Sequence, residues 1–146
     1  MTGFTDAERS YLSQQRLGRL ATVDAAGQPH VVPVGVRFDA GDGTLAIGAA
    51  DLPGRGQRRH YLRNIETDPR VAVVIDDLAS LDPFHPRGVS IRGRAEIVGT
   101  GGERLGPGFG PLWVRVTPVW ISSWGIESGP YDPPHTRSLS VEPLAG

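Results

Sequence analysis

Between Val89 and Ile97 the chain is apolar at every second position: Val89, Ile91, Ala95 and Ile97 alternate with Ser90, Arg92, Arg94 and Glu96, and Gly93 falls in phase on the apolar side. A period of two is the mark of a strand with one face buried and one in water, and a glycine in its interior predicts a bulge. Just upstream, residues 71–75 are uninterrupted apolar and end at Asp76-Asp77, which reads as a central strand buried on both faces. Gly 20 and Pro 13 in 146 residues cut the rest into short pieces, favouring strands and turns over long helices. With no cysteine the fold relies on burial alone, and 38% hydrophobic content suffices for one core.

Thr5-Asp6-Ala7-Glu8 has the spacing of a capping box, so a short helix begins there with Ala7, Tyr11 and Leu12 on one face and Gly18 as a left-handed residue beyond its end. Residues 19–23 and 29–38 read as a hairpin around a turn at 24–27. Pro33 interrupts the second strand and, lacking an N–H, belongs at an edge, a bulge or a place where another group approaches the backbone. Residues 44–47 form a third strand ending at Gly48, and residues 57–67 a basic helix with Tyr61, Leu62 and Ile65 at helical spacing. Residues 99–111 read as a long loop; 112–116 and 119–124, separated by Pro118, as a strand pair or a bent strand. From Glu127 the prolines at 130, 133, 134 and 143 predict an extended tail or an arm on a neighbour. The expected architecture is mostly β, a small barrel of six or seven strands with two short helices, as one domain over 1–126 followed by a tail over 127–146.

All 15 basic residues are arginine, which excludes lysine Schiff-base and lysine general-base chemistry. A net charge of -1 speaks against nucleic acid, and the lack of a long apolar run against a membrane span, so the expected location is the cytoplasm. Arg55, Arg58, Arg59 and Arg63 gather where a loop enters the second helix, an arrangement suited to phosphate, with a solvated basic face as the alternative. Histidines 30, 60, 85 and 135 lack metal-chelating spacing, so no metal is expected; His30 is a weak candidate proton donor. Asp76-Asp77 reads as one turn cap and one solvent-facing carboxylate, and no G-x-S-x-G motif supports a hydrolase. Trp113, Trp120 and Trp124 suit core or a dimer seam.

Leu17-Gly18-Arg19-Leu20-Ala21-Thr22-Val23 and Gly27-Gln28-Pro29-His30-Val31-Val32-Pro33-Val34 resemble the opening hairpin of pyridoxamine-phosphate-oxidase-like split-barrel enzymes. Asp68-Pro69-Arg70-Val71-Ala72, Asp82-Pro83-Phe84-His85-Pro86-Arg87-Gly88, Ile91-Arg92-Gly93-Arg94-Ala95-Glu96 and Ile121-Ser122-Ser123-Trp124-Gly125 resemble the branch that uses coenzyme F420. The resemblance implies an FMN-binding-type split β-barrel homodimer, with cofactor grooves at the subunit interface and a small conjugated organic substrate that gains or loses a hydride. It also implies that Val32, Pro33 and Val34 flank the cofactor ring, that Ile47, Gly48 and Ala49 lie beside the ring or its linker, and that the arginine helix takes the phosphate. The family usually has a threonine and a lysine at the start of that helix; Arg59 and Tyr61 stand there in this chain, Tyr61 as a second weak catalytic candidate. FMN in place of F420 is one alternative, and a non-catalytic dimer with a decayed ligand site is another.

Overall fold

The computed structural model describes residues 3–50 and 60–139. In chain order they form α1 (Asp6–Gln14), β1 (Leu17–Val23), β2 (Pro29–Asp39), β3 (Thr44–Ala50), α2 (His60–Thr67), β4 (Arg70–Ser80), β5 (His85–Val98), a short 3-10 helix (Gly102–Leu105), β6 (Phe109–Trp124) and β7 (His135–Ser138). The antiparallel order β3-β2-β1-β4-β5-β6 closes on itself through a β3–β6 pairing, giving a six-stranded barrel, and β7 adds to the outside edge of β6. Closure removes most of the sheet edge that an open sheet of this size would leave exposed. Leu20, Leu45, Ile47, Ile75, Ile91 and Ile121 fill the interior with almost no exposure. Each fully buried aliphatic side chain of this kind contributes about 1.5–3 kcal/mol.

β5 follows the sequence pattern: Val89, Ile91, Gly93 and Ala95 are buried, while Arg92, Arg94 and Glu96 are exposed. Its register against β6 shifts between Arg92 and Gly93, the expected bulge, and a Cβ on Gly93 would lie 2.6 Å from the Thr117 carbonyl oxygen. β4 departs from expectation. Only Val71, Val73 and Ile75 are buried, Ala72 and Val74 are half-exposed, and the strand runs through Asp76-Asp77 to Ser80. A barrel covers one face of each strand, and among the described residues the other face of β4 is left half-exposed. The two aspartates are held across strands: Asp76 accepts from Arg19, and Asp77 accepts from Tyr11 and from the Arg87 fork. Arg87 holds the Asp77 carboxyl below the usual carboxylate range.

α1 has the capping box, with Thr5 Oγ1 accepting from Glu8 N and Glu8 Oε1 accepting from Thr5 N. Gly18 does not end this helix. It lies inside β1, where a Cβ would meet Ile75 Cγ1 at 3.1 Å, and the helix is closed instead by Gln15 in an extended conformation. α2 begins at His60, residues 57–59 lying outside those described, and Asn64 donates to Thr22 Oγ1 at 2.9 Å to pin it to β1. Residues 99–111 are less of a loop than expected, since they include the 3-10 helix and the first residues of β6. β6 is one long strand. Val116 and residues before it pair with β3, Trp120 to Ser123 pair with β7, and Pro118 occupies the gap between the two partners, where no ladder needs its N–H. Trp113 is core, whereas Trp120 lies partly exposed under the Arg92 guanidinium at 4.0 Å.

Candidate functional site

The barrel opens between β2 and β3. These strands pair only from Val36↔Ile47 to Asp39↔Thr44; beyond that point β3 follows β6 through Gly48↔Trp113 and Ala50↔Phe109, while β2 follows β1. Among the described residues, 29–35 therefore have a strand partner on one side only. Val36 N donates to Arg16 O on the β1 side, and backbone alternation then sends the amides of Val31 and Gly35, and the Pro33 carbonyl, towards the open side. Pro33 stands mid-edge with no N–H to satisfy, in one of the places its chemistry requires.

Side-chain alternation sorts the expected ring-flanking residues into two sets. Val34 and Ile47 belong to the core, Val32 packs against it, and Ala49 is half-buried; these can offer a ligand backbone more readily than side chain. Pro33 is exposed, and Gly48 lies on the outward face, where a Cβ would meet Phe109 Cδ1 at 2.6 Å. Gly35 mirrors it across the split, with a Cβ position 3.2 Å from Phe109 Cζ. The Phe109 ring thus bridges the diverging strands over two glycines. Outside it lies a cavity of about 220 Å³ lined by Gly35, Gly48, Phe109, Leu105, Arg37 and Arg16, among others.

His30 is elsewhere. Its Nε2 is 2.9 Å from Asp24 Oδ2, and its ring stacks on His60 at a centroid distance of 6.4 Å. The His30 hydrogen bond, with the backbone amides of Gln28 and Ala26, lowers the Asp24 pKa. On strand alternation His30 shares the inward side of Val32 and Val34, away from the outward Pro33 and Gly48. Tyr61 is buried at 7% exposure within the core cluster, and Arg63 is exposed on α2, beside His60 Nδ1 at 3.4 Å. Arg55, Arg58 and Arg59 lie outside the described residues. Phe109, Gly35 and Arg37 were not singled out by the sequence; the one signal was an aromatic residue inside a glycine-rich stretch.

At the opposite flank the Glu8 carboxylate is fully buried and accepts from Thr5 N, Ser123 Oγ and both Arg137 Nη atoms. Burial pushes its carboxyl up, but those hydrogen bonds and the Arg137 charge outweigh burial, leaving the pKa below its ordinary value. Glu8, Glu127 and His135 come close enough to share an ion, yet Glu8 is already committed to Arg137. The geometry there serves as a clasp between α1 and β7.

Comparison with known proteins agrees with this architecture. A 5a,11a-dehydrotetracycline/5a,11a-dehydrooxytetracycline reductase of Streptomyces rimosus is 40% identical over 139 residues, covering 95% of each chain. An F420 reductase structure superposes with a TM-score of 0.61 at 26% identity, covering 82% of this chain and 98% of that one. A FAD-binding protein of Mesorhizobium loti superposes at 0.62 with 19% identity, covering 82% and 92%, a likeness of fold. No helix among the described residues is long and apolar enough to cross a membrane. Residues 4–137 match the pyridoxamine 5'-phosphate oxidase model, and with a split barrel, a half-open β2 edge and a relative of 40% identity, the chain belongs to that family.

Proposed function

We propose that this chain is an oxidoreductase that uses coenzyme F420 to deliver a hydride to a conjugated carbon–carbon double bond in a small organic molecule. The observation that carries the reading is the parting of β2 and β3, which leaves one side of the backbone at Val31, Pro33 and Gly35 without a strand partner among the described residues. A flat tricyclic ring with polar edge atoms fits such an edge, because unpaired strand amides and carbonyls can bond the ring's edge. The 40% identity to the dehydrotetracycline/dehydrooxytetracycline reductase supports the reaction class, and the F420 reductase structure supports the cofactor.

When bound, F420 supplies two electrons and a proton as hydride, and the protein's part is binding, orientation and exclusion of water. The β2 edge orients the ring, and Arg63 with the sequence-adjacent Arg55, Arg58 and Arg59 supplies cationic charge for a phosphate-bearing tail. The second proton comes from solvent, since His30 is committed to Asp24 and Tyr61 to the core. A homodimer belongs to the same proposal: Leu17 and Val31 are 52% and 67% exposed on the outer side of β1 and β2, and Leu78, Leu81 and Phe84 stand out at the β4–β5 hairpin. Exposed apolar area of this kind is what a second copy would cover.

The test is titration of cofactor-free protein with F420 and, separately, FMN, following quenching of cofactor fluorescence, then turnover of reduced F420 with conjugated acceptors. Saturable F420 binding, weakened in Arg58→Ala/Arg59→Ala, with oxidation of reduced F420 by an enone or quinone, is the expected result. Preference for FMN would replace the cofactor in this reading, and binding of neither would overturn it. Light scattering should return twice the chain mass at micromolar concentration; a monomer would remove the dimer.

A further inference from the structure

We propose that the cavity outside Phe109 is a substrate subsite for a planar, conjugated anion, with Phe109 as the ring wall and Arg37 as the group that pairs with an acidic oxygen. This deepens the reductase reading, since it names a substrate class for the same split, and it rests on that reading. Three observations converge. First, the Phe109 ring lies across Gly35 and Gly48, so the wall is one aromatic ring on two positions without Cβ atoms. Substituting either glycine would push the ring outward, so the shape of the cavity depends on all three residues.

Second, the charge at this cavity has one sign. Arg37 and Arg16 line it, and no carboxylate does among the described residues. Arg37 Nε and Nη2 both donate to Leu105 O, at 3.2 and 2.9 Å, which fixes the guanidinium plane, while no acceptor among the described residues is bonded to Nη1. A guanidinium held by two of its donors and retaining another is pre-organised for an oxyanion. The neighbouring cavity that Arg37 also lines differs, because Asp39 and Asp42 line it together with Arg104 and Arg115 and offset much of its positive charge.

Third, the size is restrictive. About 220 Å³ is smaller than the roughly 300 Å³ at which pockets begin to enclose a drug-sized ligand, so one end of a flat molecule enters and the remainder extends along the split. Gly106 and Gly108, both at positive φ, bracket the approach to Phe109 and let the chain turn tightly enough to bring that ring over the strands. The ligand class that combines a flat face with an anionic edge is a polycyclic aromatic or quinonoid molecule carrying a phenolate, enolate, carboxylate or sulfonate.

The experiment uses anthraquinone-2-sulfonate and neutral 2-methylanthraquinone as probes, by calorimetry and by amide chemical shifts, with and without saturating F420. The expected result is saturable binding of the sulfonate, about tenfold tighter than the neutral probe, with shifts at Gly35, Gly48 and Phe109. Arg37→Gln should erase the preference for the anion while melting temperature and F420 affinity stay near those of the native protein, and Phe109→Ala should weaken both probes. Equal affinity for the two probes, an undiminished preference in Arg37→Gln, no probe binding, or shifts confined to other residues would overturn the subsite. Probe binding as expected with no F420 binding would instead count against the reductase reading alone.

Discussion

Two antiparallel seams of one barrel have opposite fates. β5 and β6 stay paired from Gly88↔Trp124 to Val98↔Trp113, interrupted only by the bulge at Gly93. β2 and β3 pair from Val36 to Asp39 and then part. Along the first seam, backbone groups are consumed by the ladder and the inward side chains by the core; along the second, a strand edge and two glycines face outward with an aromatic ring laid over them. The difference teaches that a strand pairing left incomplete is itself a binding feature, since the backbone groups it does not use are the polar ones a flat ligand can bond.

The clasp that holds the closed side is where substitution should cost most. Arg137→Ala leaves the fully buried Glu8 carboxylate without its cation, and breaking such a pair from one side costs about 3–5 kcal/mol. Urea unfolding of this variant against the native chain measures the loss, and a change near zero would show that β7 contributes nothing to the barrel. The same clasp sets an acid limit. Because the folded Glu8 pKa lies below its ordinary value of 4.5, the stability it contributes is complete above about pH 4.5 and is lost as pH falls through the folded value. Unfolding free energy followed from pH 7 to pH 3 should therefore fall more steeply in the native chain than in Glu8→Gln.

A paired substitution sharpens the contrast between the seams. Gly93→Ala drives a methyl against the Thr117 backbone, which cannot swing away, so a destabilisation of about 1–3 kcal/mol is expected by thermal melting. Gly48→Ala meets only the partly exposed Phe109 ring, which can move. Its cost in stability should be the smaller of the two, and its effect should appear in ligand affinity instead. The reverse order would mean that the open seam is structural. Smallest of all should be His30→Ala, whose turnover should fall by far less than the about 100-fold that loss of a general acid removes, because that ring is committed to Asp24 and His60.

What the sequence made visible follows from the physics of each signal. β5 was legible because Val and Ile against Arg and Glu at period two report a face, and Thr5 with Glu8 because a capping box is local. Periodicity reports faces and says nothing of edges, so the parting of β2 and β3 was visible only as one oddly placed proline. Partnerships across long separations were invisible as well. Glu8 meets Arg137 only in the fold, and Asp76-Asp77 read as one turn cap and one solvent-facing carboxylate until Arg19 and Arg87 came beside them across strands. Residues 71–75 read as doubly buried because the apolar Ala72 and Val74 face outward, an exposure that the proposed dimer would cover. Phe109 lay in a stretch whose glycines concealed both a 3-10 helix and the start of the longest strand.

The most direct test of the open seam is backbone hydrogen exchange of the protein with and without saturating F420, read amide by amide. If the parted strands hold the cofactor, protection should rise at Val31, Gly35 and Gly48 and remain unchanged along Gly88 to Val98, whose amides the ladder already protects. F420 binding that leaves Val31, Gly35 and Gly48 exchanging at their ligand-free rates would contradict the assignment of the site to this split.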